Sequence, residues 1–324
     1  MQLQAPQKVA PASDAPATTS ASLRAIILLA GTPRASALVA GVQRSPVDLP
    51  LDNQRLLLDL WIEHCRQLAR HLPGSPLHVR VLVNANTPAP RPRDLLAGDQ
   101  PDLHVTIEHE TASFRGSGGA VRDAAQHYDD NDRILVASAG QVLVQPLATL
   151  FHALEQSSAD VAVLAHRDGT PGGLTYLRCG CVRDLAPRGF VDLKEQALPR
   201  LARRHDVRVV QDAGGTVLPV RTRADYLAAL RWYHRQSDAH AAADAIKIES
   251  PFAEDWQRTF AVVEPDAVVD PTAWIHDSVV LAGGRVEAGA SVVRCVIGPG
   301  GRVARRGRAV DEIVTADTNG RHRG

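Results

Sequence analysis

Between Val263 and Val303, aliphatic residues recur at nearly every sixth position: Val263, Val269, Ile275, Leu281, Val286, Val292, Ile297 and Val303. Small or acidic residues follow most of them, among them Glu264, Asp270, Glu287, Gly298 and Ala304. The period is six with two one-residue slips. Short repeats of this kind build parallel β-helices, in which each six-residue side turns a corner and its aliphatic residue points inward. The pattern predicts a short left-handed parallel β-helix over 261–312, with an antiparallel sandwich as the rival. A segment of this length makes only about three coils and a small core, so it is expected to lean on the rest of the chain or on another subunit. The stretch after Val310 ends in Arg321-His322-Arg323, carries no apolar anchor, and predicts a flexible tail over 313–324.

The preceding part alternates two periodicities. Ala25 to Ala30 is a continuous apolar run closed by Gly31, as expected of a parallel strand buried on both faces. Residues 54–72 have helical spacing, with Leu56, Leu57, Leu60, Trp61, Cys65, Leu68 and Leu72 apolar before Pro73-Gly74. Strands are predicted at 77–84, 103–108, 134–137 and 159–165, and helices at about 119–127, 146–156, 193–204 and 223–235. Strands alternating with helices specify an α/β fold, a doubly wound Rossmann-like sheet covered on both faces. This places an α/β domain over 23–235. Residues 1–22, rich in Ala, Pro, Ser, Thr and Gln, read as a disordered tail, and 236–260 as a helical linker.

Composition removes several classes of function. Lys plus Arg and Asp plus Glu both number 36, so no basic footprint for nucleic acid or an anionic membrane exists. Aromatics are 4%, too few for a single-strand stacking surface. No apolar run is long enough to span a bilayer. The cysteines Cys65, Cys179, Cys181 and Cys295 are scattered and suit a reducing cytoplasm rather than a disulfide framework. Cys179-x-Cys181 lacks the spacing of a zinc knuckle.

Three segments carry possible chemistry. Arg115-Gly116-Ser117-Gly118-Gly119-Ala120-Val121 is a glycine-rich turn ahead of a helix, where backbone N–H groups can approach phosphates. Gly189-Phe190-Val191-Asp192-Leu193-Lys194-Glu195-Gln196 has Asp192 at a helix N-cap position with Glu195 three residues on, a capping-box pattern. Thr222-Arg223-Ala224-Asp225-Tyr226-Leu227 opens a further helix with Thr222 as N-cap. With the first loop, Leu29-Ala30-Gly31-Thr32-Pro33-Arg34, and the C-terminal hexads, these segments resemble the sugar-1-phosphate nucleotidylyltransferases, which make NDP-sugars. The resemblance covers about 23–312.

That resemblance implies nucleotide contacts at Gly31, Arg34, Gly116, Ser117, Gly118 and Gly119, and sugar contacts at Lys194 and Glu195. Arg44 falls where the family has a lysine, and Arg167 is the nearest candidate for its sugar-phosphate cation. Departures sit at the chemistry. Nucleotidyl transfer uses a divalent ion held by carboxylates to bridge the reacting phosphates. The first family aspartate is replaced by Gly140 or Gln141 and the second by Pro219, so no metal ligand is assigned and Mg²⁺ is expected only if the protein turns over. Two readings follow. One is a catalytically impaired binder of a nucleotide or nucleotide sugar, a regulatory or scaffold subunit that partners an active nucleotidyltransferase or itself through the β-helix. The other is an active enzyme with displaced ligands drawn from Asp48, Asp168 and Asp212. A third, acyl transfer with His276 as base, rests on the β-helix alone.

Overall fold

The computed structural model describes residues 23–31, 36–72, 76–84, 87–88, 90, 102–110, 115–211, 215, 217–244 and 259–318. The expected tail 1–22, the linker segment 245–258, Arg34 and Asp212 lie outside them. The apolar run at the start forms β1 (Leu23–Leu29), with Ala25 to Leu28 fully buried. It lies between two parallel partners, β2 (Leu77–Val83) and β4 (Arg133–Ser138). With β3 (Leu103–His109), β6 (Val161–Ala165), β7 (Pro171–Arg178) and β8 (Val207–Gln211), the described residues form one sheet in the order β3-β2-β1-β4-β7-β6-β8. Strand β7 is antiparallel to both neighbours, and the remaining pairings are parallel. Gly172-Gly173, a pair typical of turns, lies at the start of β7.

Helices cover both faces, as the alternation requires. One core holds α2 (Leu57–Ala69), α4 (Leu147–Gln156) and α7 (Arg223–Asp244). The other holds α3 (Gly116–Ala125), α5 (Cys179–Val182) and α6 (Leu198–Leu201). In α2 the buried residues Leu57, Leu58, Trp61, Ile62, Cys65, Leu68 and Ala69 fall at three- and four-residue spacing, which is one face of a helix. At the start of α7, Thr222 and Asp225 exchange hydrogen bonds with each other's backbone N–H at 3.1 Å, a reciprocal cap. Among the described residues no helix is long and apolar enough to cross a membrane.

From Ala261 the chain winds through three parallel sheets: β10 (Ala261–Val263), β13 (Ser278–Val280), β16 (Val296–Ile297) and β19 (Ile313–Val314); β11 (Val268–Val269), β14 (Arg285–Val286) and β17 (Arg302–Val303); and β12 (Trp274–His276), β15 (Ser291–Val293) and β18 (Arg308–Val310). Each coil takes 17 residues, Ala261 pairing with Ser278 and Trp274 with Ser291. Two sides of six and one of five account for the slips in the hexads. Val280, Val286, Val292, Cys295, Ile297, Val303, Ala309 and Val314 fill the interior of the β-helix. The expected mobile tail from residue 313 gives way to a further rung. Ile313–Val314 form β19 against Val296–Ile297, and Val314 is fully buried.

The β-helix leans on the α/β domain rather than standing alone. Phe260, Val262, Val279, Leu281 and Val296 belong to the α2/α4/α7 core. Helix α1 (Ala37–Val42) meets the coils backbone to backbone: a Cβ on Gly298 would lie 2.8 Å from the Gly41 carbonyl oxygen. Arg44 forms a bidentate pair with Glu264 at 2.7 and 2.9 Å, with side chains 6% and 8% exposed. The Ala282 N–H also donates to Glu264 Oε2. Removing one member leaves the other charge buried and unpaired, which costs about 3–5 kcal/mol. The variant Glu264→Ala is expected to lose about that much in denaturant unfolding, whereas the double change Arg44→Met with Glu264→Leu recovers most of it. An unchanged unfolding midpoint in Glu264→Ala would show that the pair does not hold the two parts together.

Candidate active site

In a doubly wound sheet, ligands sit outside the carboxyl ends of the strands where the strand order reverses. Here that is the gap between β1 and β4, with Gly31 on one side and Ser138-Ala139-Gly140 on the other. Gly31 is there because nothing larger fits: an added Cβ would lie 2.7 Å from both the backbone N and the side-chain Cγ of Asn84. Asn84 is in turn tied to Thr87, whose N–H donates to its carbonyl at 3.1 Å. Sequence reasoning missed Asn84, since a lone polar residue after a strand carries no pattern.

The end of β4 is held from the α2 side. Trp61 Nε1 donates to the carbonyls of Ala139 and Gln141 at 3.0 and 3.1 Å. The chain then enters a short strand, β5 (Gln141–Leu143), antiparallel to β9 (Val217–Pro219). In that ladder Gln141 lies directly opposite Pro219, and the Val220 N–H donates to the Gly140 carbonyl at 2.9 Å. Of the two candidates for the first missing carboxylate, Gly140 and Gln141, the latter faces Pro219 across this ladder, and none of the three residues is an acid. The Gln141 side chain is buried and lies against Gly173, where an added Cβ would meet its Oε1 at 2.4 Å. Its Nε2 donates to the Gly172 carbonyl at 3.4 Å. A neutral amide fills this space, and neither Gln141 nor Pro219 offers the carboxylate that Mg²⁺ prefers.

The glycine-rich segment differs from its expected form. Gly116 to Gly119 are the first turn of α3 itself, not a loop before it. Two amides that would cradle a phosphate are already used, since Gly118 and Gly119 donate to the Val191 carbonyl at 2.8 and 3.3 Å. Gly116 has φ +70°, and a Cβ there would lie 2.6 Å from the Val191 oxygen. Arg115 folds back onto Asp123 of its own helix with two contacts of 2.8 Å. Ser117 Oγ accepts from Leu193 N–H at 2.9 Å and donates to Asp192 at 3.3 Å. The two segments singled out in the sequence therefore dock on each other.

Asp192 caps the following turn as expected, accepting from the N–H groups of Lys194 and Glu195 at 2.8 Å. The return bond comes from Gln196 rather than Glu195, its Oε1 accepting from Asp192 N–H at 3.0 Å. The reason is the wide π-turn Leu193–Ala197, in which Ala197 N–H reaches the Asp192 carbonyl and shifts the spacing by one residue. Lys194 is exposed by area, yet partial desolvation and the neighbouring Arg221 lower its pKa, while Asp192 opposes the shift. Arg221, one residue beyond Val220, is a cation outside the motifs singled out in the sequence. Phe190, 48% exposed, lies against Gly116.

The other proposed residues go elsewhere. Arg44, offered as a lysine substitute, is used by Glu264. Asp48 is 2% exposed in the 3₁₀ turn Pro46–Asp48. Asp168 is exposed and closes its own turn by accepting from Thr170 N–H and Oγ1 at 2.9 and 2.6 Å. His276 lies on the β-helix against Trp274, with ring centroids 5.6 Å apart. A cleft of about 280 Å³ flanks α3, but its arginines, Arg80 and Arg115, are paired with Glu108 and Asp123. Three carboxyl groups, Glu108, Glu110 and Asp123, line it beside those arginines, so the cleft does not suit a triphosphate.

No protein-family profile and no curated protein matches the chain. Among solved structures it is similar in fold to HddC from Yersinia pseudotuberculosis, with 14% identity over 64% of this chain and 98% of that one and a TM-score of 0.48. It is also similar to a Bacillus anthracis protein assigned as a glucose-1-phosphate thymidylyltransferase and solved with sucrose. There the identity is 12% over 71% of this chain and 98% of that one, and the TM-score is 0.49.

Docking of the glycine turn is testable. Gly116→Ala forces a side chain into a left-handed conformation against a carbonyl, at a cost of about 1–3 kcal/mol. A lower melting temperature is expected, and an unchanged one would mean that the turn does not pack on Val191.

Proposed function

We propose that this chain is a nucleotide-sugar-binding protein built on the nucleotidyltransferase plan, with little or no turnover. It acts as a regulatory or scaffold subunit in NDP-sugar or surface-polysaccharide metabolism. The observation that carries this reading is the cross-strand pair Gln141–Pro219 at the mouth of the β1/β4 crevice. In-line displacement at a phosphate needs its developing charge neutralised, and a metal held by carboxylates is the usual means. Gln141 and Pro219 supply no charge. Binding requires less. Arg221 is close enough to Lys194 to act on its charge, Asp192 and its partner Ser117 lie beside Lys194, and Phe190 offers an exposed ring. Cations of this kind suit a diphosphate, and the ring suits a base or sugar face.

The alternative is an active enzyme with displaced ligands. The burial of Asp48 and the turn held by Asp168 weigh against it.

A thermal-shift series of NTPs, NDP-sugars and sugar 1-phosphates, each with and without Mg²⁺, separates the two. A ligand at ~100 times its Kd adds roughly 2.7 kcal/mol of stability. Stabilisation by an NDP-sugar without metal is expected. Stabilisation by an NTP only with Mg²⁺, together with release of pyrophosphate, would establish the enzyme instead. In the same assay Lys194→Met and Arg221→Met are each expected to weaken NDP-sugar binding about tenfold, the scale of one charge-assisted hydrogen bond. Undiminished affinity in both would remove them from the site.

A further inference from the structure

The opposite end of the sheet holds a second group of chemically competent side chains. Asp160 precedes β6, Cys181 lies in α5 beyond β7, and His205 lies just ahead of β8. Their ligand atoms all fall within 4.8 Å of one another. The sheet fixes this meeting, because Val161 pairs with Leu177 on one side and with Val207 on the other. The three residues play no part in the β1/β4 crevice.

Asp160 Oδ1 is held by Arg178 at 3.0 Å. Its Oδ2 accepts from Asp206 N–H at 3.2 Å and lies 4.0 Å from His205 Nδ1. Burial raises the Asp160 pKa, but Arg178, the Asp206 N–H and His205 outweigh it and keep the carboxyl below its usual range. His205 Nε2 is buried and finds no hydrogen-bond partner among the described residues, the kind of exception that calls for an explanation. Cys181 is a fully buried free thiol.

We propose that Asp160, Cys181 and His205 form a binding site for a zinc-class divalent cation. Thiolate, imidazole and carboxylate together select a borderline-soft ion over Mg²⁺ or Ca²⁺. Bond lengths of about 2.0–2.3 Å put tetrahedral ligand atoms about 3.5 Å apart, so side-chain shifts of roughly 1 Å close the set. Three protein ligands leave one position open. A cleft of about 320 Å³ lined by Asp184, Arg200, Arg203, Arg204 and His205 adjoins it and admits water or a small anion. Arg178 is a positioning residue that holds the carboxylate from behind. Binding releases the Cys181 thiol proton to solvent, so affinity falls as pH falls.

The test uses Co²⁺ as probe on the full chain under reducing conditions. One equivalent is expected to give a near-ultraviolet thiolate-to-cobalt band and visible bands of tetrahedral intensity. Cys181→Ser removes the former while Cys65, Cys179 and Cys295 remain. His205→Gln, at a partly exposed position that leaves the core intact, weakens binding by more than about a hundredfold, beyond what loss of an outer partner costs. Absence of the thiolate band at saturating Co²⁺ overturns the proposal, as does an unchanged band and affinity in His205→Gln. Should Cys181→Ser fail to fold, the His205→Gln titration decides alone.

Discussion

The bidentate contact between Arg44 and Glu264 is the constraint on which the rest of the arrangement depends. It joins a residue early in the α/β domain to the first coil of the β-helix, with both side chains nearly removed from water. Such a pair adds little net stability over a well-packed apolar one, but it penalises any docking that separates the charges. The close approach of Gly41 to Gly298 beside it needs the same alignment. Together they set the face on which Val262, Val279, Leu281 and Val296 join the larger core. A β-helix of so few coils has little interior of its own, so this shared face is what completes it.

The same contact has a consequence at the crevice. With its guanidinium turned to Glu264, Arg44 cannot reach a phosphate. At the end of β4, Trp61, Gln141 and Gly173 pack neutral groups where two facing carboxylates would stand. Two acids in that ladder would repel each other unless a cation lay between them. Gln141 opposite Pro219 needs no cation, so the crevice is stable without metal. The glycine turn follows the same logic, since its Gly118 and Gly119 amides are satisfied by the Val191 carbonyl rather than held open. Lys194 and Arg221 are cations that no ion pair among the described residues ties up.

The two ends of the sheet thus have opposite characters. The carboxyl end of the parallel strands is closed by internal hydrogen bonds and edged with cations. The far end brings Asp160, Cys181 and His205 together, and the buried His205 Nε2 has no hydrogen-bond partner among the described residues. Both follow from where β7 runs. As an antiparallel strand between β4 and β6, it places Gly172-Gly173 at one end, against Gln141, and Arg178 and the α5 cysteines at the other.

The sequence by itself determined the elements and their kind. A short unbroken apolar run closed by glycine fits a strand buried on both faces, and one-sided helical spacing fits a helix packed by one face. Near-sixfold aliphatics favour a coil whose interior they fill over a sandwich. The residues at the positions where the resemblance implies carboxylates, Gly140 or Gln141 and Pro219, are legible as non-acids because that is a matter of residue identity. Thr222 and Asp192 were legible as caps because capping acts over three or four residues. Long-range partners were not legible. Nothing local marks Arg44 as the partner of Glu264, Gln141 as the neighbour of Pro219 and Gly173, or His205 as the neighbour of Cys181. Those meetings depend on strand order and register, which distant parts of the chain fix only once they have packed. The spent amides of Gly118 and Gly119 are of the same kind, for the carbonyl that takes them is brought by tertiary structure alone.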